Sequence, residues 1–281
     1  MRIKIPGGLY HIYSRGIDRM SIFADSVDRE KFQTILSDTV REANWKCFAY
    51  CLMGNHYHIL IETTDGDTSV GMKRLNGLYA QYFNWKHERI GPLFQGRYKA
   101  ILVDRENYFL ELCRYIVLNP VRAGLSDLPE NYRWSSYRIT AGLDEENGCI
   151  DRKTVLQWFN GVDDKIDSMA RRYIGFVEDG MKMDPAHFDV RADLILGDKD
   201  FVNNLKERVE KKMNDTNIPK YQRTACRPDL EELLDPLTAS MKNTRDEAVR
   251  TAYSVHGYSQ TDIARHLGIH NSTVHRIINK Q

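Results

Sequence analysis

Two histidines separated by a single residue, His56 and His58, stand in the mostly apolar run 51–62. If this run is a β-strand, alternation points both imidazoles to the same face, where two neutral rings can offer nitrogen ligands to a metal ion. Nine histidines in 281 residues allow such a pair to arise by chance. The pair therefore gains meaning only if partners exist elsewhere in the chain.

A site that transfers a phosphoryl group also needs a further metal ligand and a nucleophile, and one later segment offers both. Tyr115 and Asn119 are four residues apart in a segment predicted to be helical, so they share a helix face. Tyr108, seven residues before Tyr115, shares that face and is a rival nucleophile. His11, on the first predicted strand, could line the same site, although a structural role is the more frequent one for such a histidine.

The elements that must position these residues follow the order βαββαβ, with one helix added. Alternating aromatic and β-branched residues predict strands at 9–16, 47–52, 56–62 and 98–103. Helices are predicted at 27–40, with Asp25 or Ser26 as N-cap, at 70–85, and at 106–119, which Pro120 is expected to end. This order predicts an α+β fold with a ferredoxin-like sheet and helices on one face.

The remainder of the chain is predicted to be all-α. Residues 141–225 are acidic and helical in character, and 214–228, with two prolines, is the best linker candidate. Residues 262–278 have the pattern of a helix, a turn at Gly268 and a second helix, which is typical of a helix-turn-helix. The second helix would present Thr273, His275 and Arg276 to a major groove. A small helical bundle without DNA contact is the alternative.

Composition excludes several classes of protein. Hydrophobic residues make up 42% and charged residues 28%, as in soluble globular proteins, and no apolar stretch is long enough to span a membrane. The five cysteines form no Cys-x-x-Cys pair, which argues against a disulfide scaffold and a zinc ribbon. The net charge of +1 conceals basic ends and an acidic middle. We expect a cytoplasmic protein.

Two runs together carry a family resemblance: Met53-Gly54-Asn55-His56-Tyr57-His58 and Tyr115-Ile116-Val117-Leu118-Asn119-Pro120-Val121-Arg122-Ala123-Gly124-Leu125. They resemble the single-tyrosine HUH transposases, and within them the REP-associated tyrosine transposases. The resemblance covers about residues 5–140, including the runs 10–16 and 134–137. Gly54 stands where the family more often has Pro, a change that a turn tolerates.

The resemblance implies a metal-dependent endonuclease and strand transferase that cleaves and rejoins single-stranded or hairpin DNA of palindromic repeats. It makes His56, His58 and Asn119 the metal ligands, and Tyr115 the nucleophile that leaves a 5′-phosphotyrosine and a free 3′-hydroxyl. Mg²⁺ or Mn²⁺ suits an amide oxygen and substrate oxygens better than Zn²⁺ does. It also implies association with the nucleoid.

The predicted fold class is thus α+β, with a ferredoxin-like βαββαβα HUH catalytic domain followed by an all-α region with a C-terminal helix-turn-helix. The predicted domains are the HUH domain at 1–140, the acidic helical region and linker at 141–225, and the helix-turn-helix domain at 226–281.

Basic and aromatic residues interleave in 94–99, a combination that stacks bases and follows phosphates. The expected contacts to the DNA backbone are Arg15, Arg97, Lys99 and Arg122. Two alternatives stay open: a domesticated DNA-binding regulator of the same fold without significant cleavage, and an unrelated metallohydrolase in which Glu62 joins the two histidines. The oligomeric state is also open.

Overall fold

The computed structural model describes residues 3–161, 165–184, 188, 190–191, 194–205, 227–234 and 242–279. One compact unit reaches to residue 190 and includes 195–197, and the other comprises 191–194 and the chain from 198 onward. The predicted domain boundaries after residues 140 and 225 stay predictions. Most of the linker candidate, 214–226, lies outside the described residues.

Four strands of the first unit form the predicted ferredoxin-like sheet. They are β1 (Leu9–Arg15), β2 (Trp45–Leu52), β3 (His56–Thr63) and β4 (Lys99–Val103). Their order in the sheet is β2-β3-β1-β4, and all of these neighbours are antiparallel. A fifth strand, β5 (Ile195–Leu196), pairs with β4 in parallel. It lies in a region predicted to be helical, because two residues carry no periodicity from which a strand can be recognised.

Alternation along β3 gives the sheet two different faces, with His56 and His58 on one and Tyr57 on the other. Helices α1 (Ser26–Glu42) and α2 (Ser69–Lys86) pack on the Tyr57 face. There the Phe32 ring of α1 lies 4.8 Å from the ring of Tyr57 and 5.0 Å from that of Tyr79 in α2. For these two helices the prediction of a single helical face is confirmed.

The start of α1 also ties it to the end of α2. Asp25 is the N-cap, and it forms a capping box with Asp28, in which each side chain accepts from the backbone N–H of the other. The Asp28 carboxylate is fully buried and additionally accepts from Lys86 Nζ at 2.8 Å and lies 3.0 Å from His87 Nε2. One carboxylate therefore joins the start of α1 to the end of α2.

Helix α3 (Arg105–Arg122) packs on the opposite face of the sheet, above the histidines, where its Phe109 ring lies 5.1 Å from Phe48 of β2. The prediction that Pro120 ends this helix is wrong. Proline removes one backbone donor but its carbonyl still accepts, here from Leu125 N at 2.8 Å. The left-handed Gly124 (φ 67°) then ends the chain's helical path.

Three further helices of the first unit are α4 (Tyr137–Ala141), α5 (Arg152–Gln157) and α6 (Ile166–Met181). Arg114 joins α6 to α3, because its guanidinium lies 4.2 Å from the Phe176 ring and donates to the Phe176 carbonyl at 3.2 Å. The segments around α4 and α5 also bond to the outer edge of β2: Leu52 N donates to Trp134 O at 2.9 Å, and Asp151 N donates to Cys47 O at 2.8 Å.

The second unit contains α7 (Leu230–Leu233), α8 (Lys242–Ser254), α9 (Gln260–Leu267) and α10 (Asn271–Asn279). Ser259 caps α9 by accepting from Asp262 N, and Gly268 ends it with a φ of 63°. The turn between α9 and α10 thus lies where the sequence predicts it. Val249, Val274 and Ile277 are buried in the core of this unit. Within the described ranges, no helix of the protein is both long and apolar enough to cross a membrane.

Candidate functional site

A cleft of about 770 Å³ lies beside the two histidines. Its described lining consists of Tyr13, Ser14, Arg15, Arg19, Asn55, His56, His58, Gln95, Arg97 and Lys99. This lining contains four basic side chains and no carboxylate, so the cleft suits an anionic ligand. Of the four predicted contacts to the DNA backbone, Arg15, Arg97 and Lys99 line the cleft and Arg122 does not.

The lining of the cleft includes Arg19, which the sequence does not predict, and does not include Phe94 or Tyr98 of the segment 94–99. Arg19 follows Asp18 in a turn where both residues have a positive φ, 61° and 49°, and nothing in the sequence marks that turn. Phe94 is buried among Tyr57 and Tyr79, and the Tyr98 hydroxyl lies 2.9 Å from Thr68 Oγ1. Of the segment 94–99, Phe94 therefore belongs to the core, whereas Arg97 and Lys99 line the cleft.

The tautomer of His56 follows from its hydrogen-bond partner. Asn55 Nδ2 donates to the carbonyl of Arg19 at 3.1 Å, which fixes the orientation of the amide and turns its Oδ1 toward His56 Nδ1 at 2.7 Å. An amide oxygen can only accept, so Nδ1 carries the hydrogen and Nε2 keeps a lone pair. His56 is therefore prepared to bind a metal ion through Nε2.

His58 is buried and its Nδ1 lies 2.9 Å from Nε2 of His11. The register pairs His58 with Tyr13, so His11 is its diagonal neighbour on the same face. Burial lowers the pKa of His11 to about 4. Burial, followed by the neighbouring His11 and His56, lowers the pKa of His58 well below its usual value. Burial, followed by the charge of Arg15, lowers the pKa of His56.

All three rings are therefore neutral near pH 7, which is the form in which imidazole binds metals. His56 and His58 lie with ring centroids 5.1 Å apart at the cleft. This donor set fits a metal ion. The described residues hold no group of three His, Cys, Asp or Glu that could bind one. A further ligand must then be of another chemical type, such as an amide, a water molecule or the substrate.

Of the two candidate tyrosines, Tyr115 is the one in contact with the histidines. Its ring meets His58 edge-on at 6.1 Å and His11 at 6.3 Å between centroids. Tyr108 instead contacts Phe188, at 6.4 Å. Phe188 also packs edge-on against Tyr115 at 5.2 Å. It is a lone aromatic in an acidic segment, and no sequence signal connects it with the site.

Asn119 lies one turn further along α3. Its Nδ2 donates to the carbonyl of Tyr115 at 3.0 Å within the helix. Neither Asn119 nor Tyr115 belongs to the described lining of the cleft. The structure thus brings the two histidines and Tyr115 together, while the role of Asn119 as a ligand stays a prediction.

Glu62 is engaged elsewhere. It forms ion pairs with Arg105 and with Lys46, the latter at 3.4 Å. It lies four positions after His58, which is about 13 Å along a strand. This arrangement disfavours the metallohydrolase in which Glu62 completes the site.

Arg122 lies above the nucleophile candidate rather than in the cleft. The guanidinium carbon is 5.7 Å from the centroid of the Tyr115 ring. Burial lowers the pKa of this guanidinium, and its Nη1 is buried without a hydrogen-bond partner among the described residues. The arginine nevertheless stays charged, since guanidinium does not lose its proton in proteins.

In the second unit, His275 and Arg276 are exposed on α10, whereas Thr273 is half-buried. The predicted contact of these three residues with a DNA groove stays a prediction.

Comparisons with known proteins relate part of this chain to one family. Residues 5–119 match the family model described as IS200-like transposase. Among solved structures, the chain is similar to a REP-associated tyrosine transposase bound to a REP hairpin, with 16% identity and a TM-score of 0.44, over 59% of this chain and 93% of that one. No curated protein matches. The matched segment contains His56, His58, Tyr115 and Asn119, and residues 5–119 are similar to the IS200-like transposases, in agreement with the sequence resemblance.

Proposed function

We propose that this protein cleaves and rejoins single-stranded or hairpin DNA through a 5′-phosphotyrosine on Tyr115. The observation that carries the proposal is the basic cleft lined by the neutral His56 and His58, of which His58 lies edge-on to the ring of that tyrosine. The choice of palindromic repeats as substrate rests on the sequence resemblance to the REP-associated branch.

The cleft residues account for DNA binding. Arg15, Arg19, Arg97 and Lys99 bring four positive charges to one cavity, and phosphates are the anions that a DNA strand presents repeatedly. Because these contacts are to the backbone, they hold the strand without selecting its sequence. Arg15 is held in place by a hydrogen bond from Nη2 to Gln95 Oε1 at 3.0 Å.

His56 and His58 would hold Mg²⁺ or Mn²⁺, with Asn119 as the third protein ligand. When bound, such an ion polarises the scissile phosphate as a Lewis acid. The protein keeps both imidazoles neutral by burial and keeps the Nε2 lone pair of His56 free by the bond from Nδ1 to Asn55. These features support metal binding without any carboxylate in the described lining.

Tyr115 supplies the covalent step. Its phenol oxygen loses a proton and bonds to phosphorus while the bond from phosphorus to the 3′ oxygen breaks, and that oxygen takes up a proton as a free 3′-hydroxyl. The phosphodiester is exchanged for a phosphotyrosine ester of similar energy. Rejoining by a 3′-hydroxyl therefore needs no nucleotide cofactor.

The test is a trapping assay with the full chain, a labelled hairpin oligonucleotide and Mn²⁺. We expect a covalent protein–DNA band for the unaltered protein and for Tyr108→Phe, and its loss in Tyr115→Phe or after addition of EDTA. Tyr108→Phe is the matched control because both tyrosines lie on α3 and both contact Phe188.

An adduct that survives Tyr115→Phe contradicts the choice of nucleophile. Tight binding of the hairpin without any adduct, in the presence of metal, favours the DNA-binding regulator instead. Retention of the adduct in EDTA contradicts the metal dependence.

A further inference from the structure

A third histidine, His11, lies behind the two that face the cleft. His11 is only 7% exposed, and it is hydrogen-bonded to His58, between His11 Nε2 and His58 Nδ1 at 2.9 Å. The two rings are stacked, with centroids 5.1 Å apart and an angle of 21° between their planes. The family match and the sequence motif give His11 no role.

The hydrogen bond between two neutral imidazoles can point either way, and the two directions have opposite consequences. If His58 donates from Nδ1, its Nε2 has a lone pair and can bind a metal ion. If His11 donates from Nε2, then His58 must carry its own hydrogen on Nε2, and that nitrogen cannot be a ligand. The partner of His58 therefore decides whether it can serve as a ligand at all.

The first direction gives both ligand candidates the same arrangement. His56 donates from Nδ1 to the oxygen of Asn55, which leaves its Nε2 free. His58 belongs to the lining of the cleft, and in this direction its Nδ1 donates to the buried His11, with the rings of Tyr13 and Tyr115 packed around the pair. A metal-binding histidine commonly donates its other ring N–H to such a partner.

We propose that His11 is a positioning residue that holds His58 in the Nδ1–H tautomer, and so leaves Nε2 of His58 available to the metal ion. The tautomer part concerns the metal-free protein, and only the metal part rests on the proposed function. His11 would contribute no ligand and would not touch DNA.

Two variants separate the hydrogen bond from the volume of the ring. His11→Gln brings an amide oxygen to about the position of Nε2, so it can still accept from His58. His11→Leu fills similar space but offers no acceptor. A buried Nδ1–H without a partner is disfavoured, so in His11→Leu we expect the hydrogen to move from Nδ1 to Nε2 of His58.

The direct readout is the nitrogen NMR spectrum of the histidine-labelled full chain without metal, with the His58 signals identified by their loss in His58→Gln. We expect protonated Nδ1 and unprotonated Nε2 for His58 in the unaltered protein and in His11→Gln, and the reverse in His11→Leu. A hydrogen on Nε2 of His58 in the unaltered protein overturns the proposal.

The second readout is the affinity for Mn²⁺ without DNA, measured by electron paramagnetic resonance. We expect His11→Leu to weaken binding about 10- to 100-fold, and His11→Gln to lose less than about threefold, as for other partners of metal-binding histidines. Equal losses in the two variants, with thermal melting unchanged, contradict a role for the hydrogen bond.

The two measurements distinguish an error in the role of His11 from an error in the proposed function. If the unaltered protein binds no Mn²⁺ yet His58 has the expected tautomer, the metal part of the proposed function is wrong and the assignment of His11 stands. If Mn²⁺ binds tightly and both variants leave its affinity and the tautomer unchanged, the assignment of His11 is wrong and the proposed function stands.

Discussion

Arg122 permits a sharp test of how Tyr115 is activated. Its guanidinium carbon lies 5.7 Å from the centroid of the Tyr115 ring, and burial shields it partly from water. As the phenol loses its proton, negative charge develops within reach of this cation. With an effective dielectric constant of about 20 and a separation of about 6 Å, the attraction is about 3 kcal/mol, and partial exposure reduces it to about half of that.

Replacing Arg122 by Met keeps the unbranched apolar part of the side chain and removes this attraction. We therefore expect Arg122→Met to form the covalent adduct about tenfold more slowly at saturating hairpin DNA and Mn²⁺, since about 1.4 kcal/mol corresponds to a factor of ten. The assay is a single-turnover time course of the phosphotyrosine band. Arg41→Met is the control, because it removes the same charge from an exposed position on α1, on the opposite face of the sheet.

The sequence alone predicts another outcome, in which Arg122 contacts the DNA backbone. In that case Arg122→Met would weaken DNA binding, lower the slope of binding against salt by about 0.7 to 0.9 and leave the saturated rate unchanged. That result would refute the electrostatic role argued from the structure. A tenfold slower step with an unchanged salt slope supports it.

Two further predictions concern stability. An added Cβ at Gly71 would overlap the Trp45 indole, so Gly71→Ala should destabilise the protein by about 1 to 3 kcal/mol. An added Cβ at Gly77 in the same helix meets open space, so Gly77→Ala should stabilise the protein by about 0.5 to 1 kcal/mol. The midpoints of urea unfolding of the two variants measure both effects. Equal unfolding midpoints for the two variants would contradict this packing of Gly71.

The second prediction concerns Asp28. Burial alone would raise the pKa of the Asp28 carboxyl, but hydrogen bonds from Lys86 and His87 lower it overall. The stability that the ionised Asp28 carboxylate contributes is therefore fully present above the ordinary carboxyl pKa of about 4. It is lost as the pH falls through the lower pKa that Asp28 has in the folded protein. Asp28→Asn should lower the free energy of unfolding by about 2 kcal/mol at pH 7 and make it depend less steeply on pH in the acid range. An unchanged pH dependence in the acid range would contradict this role of Asp28.

The order of strands and helices in the first 122 residues was predictable because each element is long enough to show its period. Strand β3 alternates, α3 has an apolar stripe, and turn residues flank β3 on both sides, Gly54-Asn55 before it and Asp65-Gly66 after it. The end of α3 was not predictable from Pro120 alone. A proline in the last turn removes one backbone N–H donor without ending the helix, and the helical path ends at the left-handed Gly124.

The candidate site was predictable only in part. His56, His58 and Tyr115 are recognisable as a motif, but the tautomer of His56 depends on how Arg19 orients the Asn55 amide. That contact connects residues 36 positions apart across a turn of unusual backbone conformation. The roles of such residues depend on tertiary geometry that carries no local pattern.

The covering of both sheet edges has a consequence for solubility. The residues that match the family model, 5–119, form four strands whose outer edges at β2 and β4 are covered by later parts of the chain. On one side Leu52 N and Asp151 N take part in bonds across the β2 edge, and on the other β5 pairs with β4. A bare edge offers a row of backbone donors and acceptors to any other strand. We therefore expect a fragment limited to residues 5–119 to extend its sheet into neighbouring molecules and aggregate, so the later segments protect the sheet that carries the candidate site.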